Sequence, residues 1–154
     1  MVENLNDLQM FVKRIENEYR NRVAYRYLAD DSLIDKTFAE LAKDIYAVAS
    51  WLIKNGYSGK HIAIIGSTSY YWVTAFLGIL CSANVVVPVD KMLSAKEMLN
   101  ILEMGDVDTV FVSEEFAHLS EPIKQSNSQI TKVICFADEC FDEILRTEEV
   151  SLPN

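Results

Sequence analysis

Four short apolar runs punctuate this chain: IAII from Ile62, VVVPV from Val85, TVFV from Thr109 and KVICF from Lys132. Their starts lie 23, 24 and 23 residues apart, with helix-patterned sequence in each gap. Parallel strands need a crossover of a dozen or more residues, usually a helix, so this spacing predicts successive βα units. The runs are continuously apolar rather than alternating, as strands are when both faces of their sheet are covered. The units do not repeat one another in sequence, which argues against a solenoid.

The segment from Thr37 to Gly56 carries the clearest helical pattern. Phe38, Leu41, Ala42, Ile45, Val48, Ala49, Leu52 and Ile53 recur on one face. Thr37 and Glu40 have the spacing of a capping box, and Asn55-Gly56 closes the helix. Ser94 and Glu97 form a second capping box before a helix that stops at Gly105. Ser113 is expected to cap EEFAHLS, and Asp138 to cap ECFDEILRTEE.

Upstream, Phe11, Val12, Ile15 and Tyr19 share one face of a helix over Asn6–Tyr19, with Asn6 as its cap. RVAYRYLADDSLIDKTF then reads as two strands around the turn Asp30-Asp31-Ser32, a hairpin outside the main sheet. The expected fold is α/β, a doubly wound, mostly parallel sheet of about four main strands with helices on both faces. Residues 1–37 form an N-terminal helix and β-hairpin appendage, and residues 38–154 the α/β subdomain.

Half of the 154 residues are apolar, enough for one domain with a sizeable core. A net charge of −9 argues against the clustered basic face that nucleic acid requires, and no anionic-lipid patch stands out. The start, MVENLNDLQM, lacks the basic and apolar regions of a signal peptide. The most apolar region, Trp72 to Val89, is broken by Gly78, Ser82, Asn84 and Pro88, so it reads as a helix and a strand, not a transmembrane segment. Cys81, Cys135 and Cys140 show no CxxC spacing and read as reduced packing thiols of a cytoplasmic protein.

HIAIIGSTSYYW, from His61 to Trp72, has the outline of a phosphate-binding turn: strand, Gly66, three hydroxyl residues, helix. It has one glycine where a dinucleotide turn needs three, and it lacks the Gly-Lys-Ser/Thr end of a Walker loop. Tyr70, Tyr71 and Trp72 are expected to crowd the helix start. The turn reads as a cap, with Ser67 or Ser69 accepting the free N–H groups. His61 and His118 stand apart from other ligand types and read as solvated, so no metal is expected. Asp90, just after a buried strand, is the best single polar candidate, and it suits an ordinary loop equally well. The carboxylates of DECFDEILRTEE read as a solvated helix face. A small-ligand module of flavodoxin-like fold is the alternative reading.

Four motifs in order give a more specific signal. Thr37, Phe38, Glu40 and Leu41 match a T-Y-x-E-L helix start; Gly59 to Ile64 match a G-D-R-V-A-I strand. Trp72, Ala75, Leu77 and Gly78 match W-x-x-A-x-L-G/A, and Ser82 to Asp90 match A-G-A-V-x-V-P-L-D/N, with Ala83 in place of the usual glycine. From about Arg22 to Phe136 the chain resembles the amino-terminal part of the AMP-forming acyl-CoA synthetases, the adenylate-forming ligase superfamily. Within it, the fatty-acyl-CoA ligases are most similar.

That resemblance implies a parent enzyme that uses ATP and Mg2+ to activate a small-molecule carboxylic acid, a fatty acid, as an acyl-adenylate and passes it to CoA. The family's phosphate loop, its adenine and ribose motifs and its catalytic lysine do not occur in these residues. No catalytic, cofactor-binding or metal-binding residue therefore transfers onto them. The sequence is expected to be a piece truncated before the phosphate loop and inactive alone; besides the flavodoxin-like module, a stand-alone degenerate ligase remnant is the alternative. Its partner would be the remainder of the parent ligase, and an exposed apolar surface could pair two copies as a homodimer.

Overall fold

Sequence-local signals set most of the elements. A computed structural model describes residues 7–29 and 31–153. Helix α1, Leu8–Tyr19, starts at Asp7, whose side chain accepts from the Met10 amide at 2.7 Å. The cap is thus one residue later than expected; Asn6 lies outside the described residues. Strands β1 (Val23–Ala29) and β2 (Ser32–Thr37) form their own antiparallel two-stranded sheet. Of the expected turn, Asp31 takes a left-handed φ of 59°, and Asp30 lies outside the described residues.

Helix α2, Phe38–Lys54, has both halves of the Thr37–Glu40 capping box. Alternating βα units follow: β3 (His61–Ile65), α3 (Tyr70–Cys81), β4 (Val85–Val89), α4 (Ala95–Met104) and β5 (Val107–Val112). A 3-10 helix, Glu114–Leu119, then leads into α5 (Ser120–Ser126), β6 (Lys132–Cys135) and α6 (Glu139–Leu145). The Ser94–Glu97 capping box is present. Two expected caps fail: Ser113 and Asp138 have extended backbone, yet neither side chain makes a cap bond.

The four-stranded sheet is parallel throughout, in the order β4-β3-β5-β6. Period-two alternation sends its side chains to two separate cores. Ala63, Ile65, Val110 and Val112 pack with Met98 and Leu102 of α4 and Ile123 of α5 on one face. Ile62, Ile64 and Phe111 pack with Val48 and Leu52 of α2, Ala75 and Ile79 of α3, and Phe141 and Ile144 of α6 on the other. Both faces are covered, which is why these strands read as unbroken apolar runs.

Strand β4 lies at one edge of the sheet. Its Val85 amide donates to the Lys60 carbonyl at 2.8 Å, so in a parallel ladder the backbone groups of Val86 and Pro88 face outward. Proline's missing N–H thus falls on the open side, where it blunts the edge against strand pairing.

A third apolar cluster joins Val12 of α1 to Leu41, Ala42, Ile45 and Ala49 of α2, with Leu152 packed against it. The carboxyl-terminal segment is tied down over this region. The Val150 amide donates to the buried Ser50 hydroxyl at 3.0 Å, and Gln9 Nε2 donates to the carbonyls of Pro153 and Cys81.

Candidate functional site at the carboxyl ends of the strands

The strand order reverses at β3: the chain goes first to β4 on one side, then to β5 on the other. In open α/β sheets, the crevice outside the carboxyl ends at such a switch point is where ligands bind. Here it is bounded by Gly66–Ser69 after β3, Asp90-Lys91 after β4 and Ser113–Glu115 after β5.

Gly66 brings two of these loops into contact. Its φ is 156°, and a Cβ on it would lie 2.7 Å from the Ser113 Cβ. The Ser113 amide donates to the Ile65 carbonyl at 2.9 Å, fixing the same approach through the backbone.

The polar groups then converge on one carboxylate oxygen. Ser67 donates to Glu115 Oε1 from both its amide (2.9 Å) and its hydroxyl (2.7 Å), and Ser113 Oγ adds a third bond at 3.2 Å. Lys91 Nζ donates to Ser67 Oγ at 2.8 Å. The two Ser67 bonds, helped by Ser113 and the Lys91 charge, hold the Glu115 carboxyl below the usual carboxylate range.

The two serines of the GSTSYYW turn therefore have different roles. Ser69 is the cap, with its hydroxyl accepting from the Trp72 amide at 3.2 Å. Ser67 is not a cap; it binds an acid 48 residues away. Nor does Tyr70 crowd the helix start. Its ring is buried beneath the hairpin against Tyr25 and Tyr27, and its hydroxyl donates to Asp44 at 2.7 Å. Burial first, then the Asp44 bond, pushes its phenol far above the ordinary tyrosine range.

The other candidates resolve separately. Asp90 is exposed, and its Oδ1 accepts from the Met92 amide at 2.9 Å, so it shapes the loop. His61 is half-buried rather than solvated, with Nδ1 2.6 Å from the Gly105 carbonyl oxygen. Strand register carries it there, away from the carboxyl ends. His118 is exposed, with Nδ1 3.1 Å from the Glu115 carbonyl oxygen. Among the described residues, no group of three or more His, Cys, Asp or Glu side chains converges to hold a metal ion. Cys81 and Cys135 are buried and Cys140 exposed; burial raises the Cys81 thiol to about 11 and moves Cys135 upward too. The carboxylates of Glu139, Asp142 and Glu143 are exposed on α6, as a solvated face requires.

Glu115 was missed by sequence reasoning. The available signal was its place three residues beyond the end of a buried strand; what could not be read was that β5 would lie beside β3.

A parallel α/β layer with a polar crevice at its switch point has a ligand-binding position of the kind open α/β sheets use. The family model for the AMP-binding enzymes matches residues 12–153, and the chain belongs to that family. An unrelated flavodoxin-like module is thereby excluded. No curated protein matches the sequence significantly. Solved structures share the fold. The N-terminal domain of FACL13 from Mycobacterium tuberculosis is 19% identical with a TM-score of 0.82, over 97% of this chain and 38% of that one. A long-chain-fatty-acid-CoA ligase from Archaeoglobus fulgidus is 16% identical with a TM-score of 0.81, over 99% and 33%. The A-PCP didomain of carboxylic acid reductase from Segniliparus rugosus, in complex with AMP, is 15% identical with a TM-score of 0.84, over 99% and 28%. The chain thus spans less than two fifths of the length of each.

Proposed function

We propose that this chain is the amino-terminal scaffold of an ATP-dependent acyl-CoA ligase. The whole enzyme joins a carboxylic acid, a fatty acid, to AMP with loss of pyrophosphate, then transfers the acyl group to CoA. The observation that carries this reading is the family match over residues 12–153. Charge developing on the phosphates during adenylation must be met by preorganised cations and donors. The switch-point crevice assembles one cation, Lys91, and its donors are already bonded to Glu115. On this reading Mg2+, ATP and CoA belong to the complete ligase, and the 154-residue chain alone is inactive.

Residues 1–37 act as an appendage to the α/β subdomain of residues 38–154; the separate two-stranded sheet of the hairpin supports that division. No helix among the described residues is long and apolar enough to cross a membrane, and a cytoplasmic location fits the free thiols. Leu28 and Leu33, opposite each other on the hairpin and 68% and 63% exposed, favour pairing of two copies or cover by the rest of the ligase.

Titration calorimetry with MgATP on the purified chain tests the reading. No resolvable heat is expected; micromolar binding would overturn it.

A further inference from the structure

We propose that the turn after β3 is a preformed oxyanion seat that the chain keeps filled with its own Glu115, and that a phosphate- or carboxylate-bearing ligand occupies it when Glu115 leaves. This goes beyond the ligase reading and does not rest on it.

The donors select for negative charge. Ser67 Oγ accepts from Lys91 Nζ, so its own proton is committed toward the Glu115 oxygen. The Ser67 amide and the Ser113 hydroxyl point at that same oxygen. Three donors backed by an ammonium is the arrangement that charge-assisted binding of an oxyanion uses. Ser67, Lys91 and Ser113 come from the loops after three different strands, so the sheet itself sets their spacing.

The seat does not depend on its occupant. The loops are held together by the Ser113 amide bond to the Ile65 carbonyl and by the close approach at Gly66. Glu115 itself is exposed on a 3-10 helix of six residues, so its side chain can swing into solvent without opening a core. Asp90 and Glu114 are also exposed beside these loops. Their charges oppose an incoming anion, as Glu115 does while seated.

The test is a pair of amide-detected NMR titrations on the full chain, one with inorganic phosphate and one with acetate. In Glu115→Ala, the Ser67 amide should shift on titration with an affinity about tenfold tighter than in the unsubstituted chain. Adding Lys91→Met to that variant should abolish the gain. Response to phosphate alone assigns the seat to a phosphoryl ligand and response to acetate alone to a carboxylate, while an equal response to both supports a seat for either oxyanion. Glu115→Ser, which also removes the carboxylate and shortens the side chain, provides the same comparison should the alanine variant fold poorly. A Ser67 amide unmoved by either anion in both variants, or a gain that persists without Lys91, overturns the proposal.

Discussion

Gly78 of α3 lies so close to Val48 of α2 that a Cβ placed on it would sit 2.7 Å from the Val48 Cβ. The two helices cover the same face of the sheet, and both residues are buried. The Val48 Cβ is fixed by its backbone, and its Cγ1, at the same 2.7 Å, belongs to a β-branched side chain that a helix restricts to one rotamer, so neither can turn aside. Gly78→Ala should therefore destabilise the fold by about 1–3 kcal/mol through overpacking. Val48→Ala in the same chain should restore part of that loss, and a double-mutant cycle by denaturant unfolding reads the coupling. Additive effects would show that the helices do not meet at this point.

Ala83 takes a φ of 56°, the left-handed region, one residue past the Ser82 cap of α3. The related motif has glycine at this position, and the geometry supplies the reason, since a residue just past a helix end commonly needs that conformation. The replacement is thus a strained one. Left-handed alanine costs about 1–2 kcal/mol, partly offset by the greater unfolded-state entropy of glycine. Ala83→Gly should raise stability by about 0.5–1 kcal/mol, measurable as a higher urea midpoint at unchanged slope.

The capping box at the start of α2 makes a pH-dependent contribution. Bonds from the Thr37 amide and hydroxyl depress the Glu40 carboxyl below its ordinary value. A carboxylate depressed in the folded state stabilises it above the unfolded value, near pH 4.3, and that contribution disappears as pH falls through the folded value. Glu40→Gln should consequently cost stability near neutrality and nothing in strong acid. Thr37→Ala should cost about 1 kcal/mol. Thermal unfolding across the acid range reads both.

The buried Ser50 hydroxyl accepts the Val150 amide, fastening the carboxyl-terminal segment across α2. Ser50→Ala should lose about 0.5–1.5 kcal/mol and speed hydrogen exchange at Val150 with little change in the β-sheet amides. Uniform acceleration throughout the chain would indicate global rather than local loosening.

The elements that sequence reading located correctly were those with local causes. Both capping boxes lie within three residues, and the four strands announce themselves by apolar content and spacing. Non-local features were illegible. The strand order β4-β3-β5-β6 decides that Ser67 meets Glu115, and that order depends on packing choices no short window contains. The burial of His61 likewise depends on the loop at Gly105. Ser113 and Asp138 carry the residue types of caps, and their extended backbone suits the role, yet Ser113 is drawn toward Glu115 instead.

The most direct test of the scaffold assignment is fatty-acid-dependent exchange of labelled pyrophosphate into ATP by the purified chain, with Mg2+ present. The account predicts exchange indistinguishable from that of a protein-free control. Exchange that requires both the acid and the protein would mean the reacting groups reside in these 154 residues, and would contradict it.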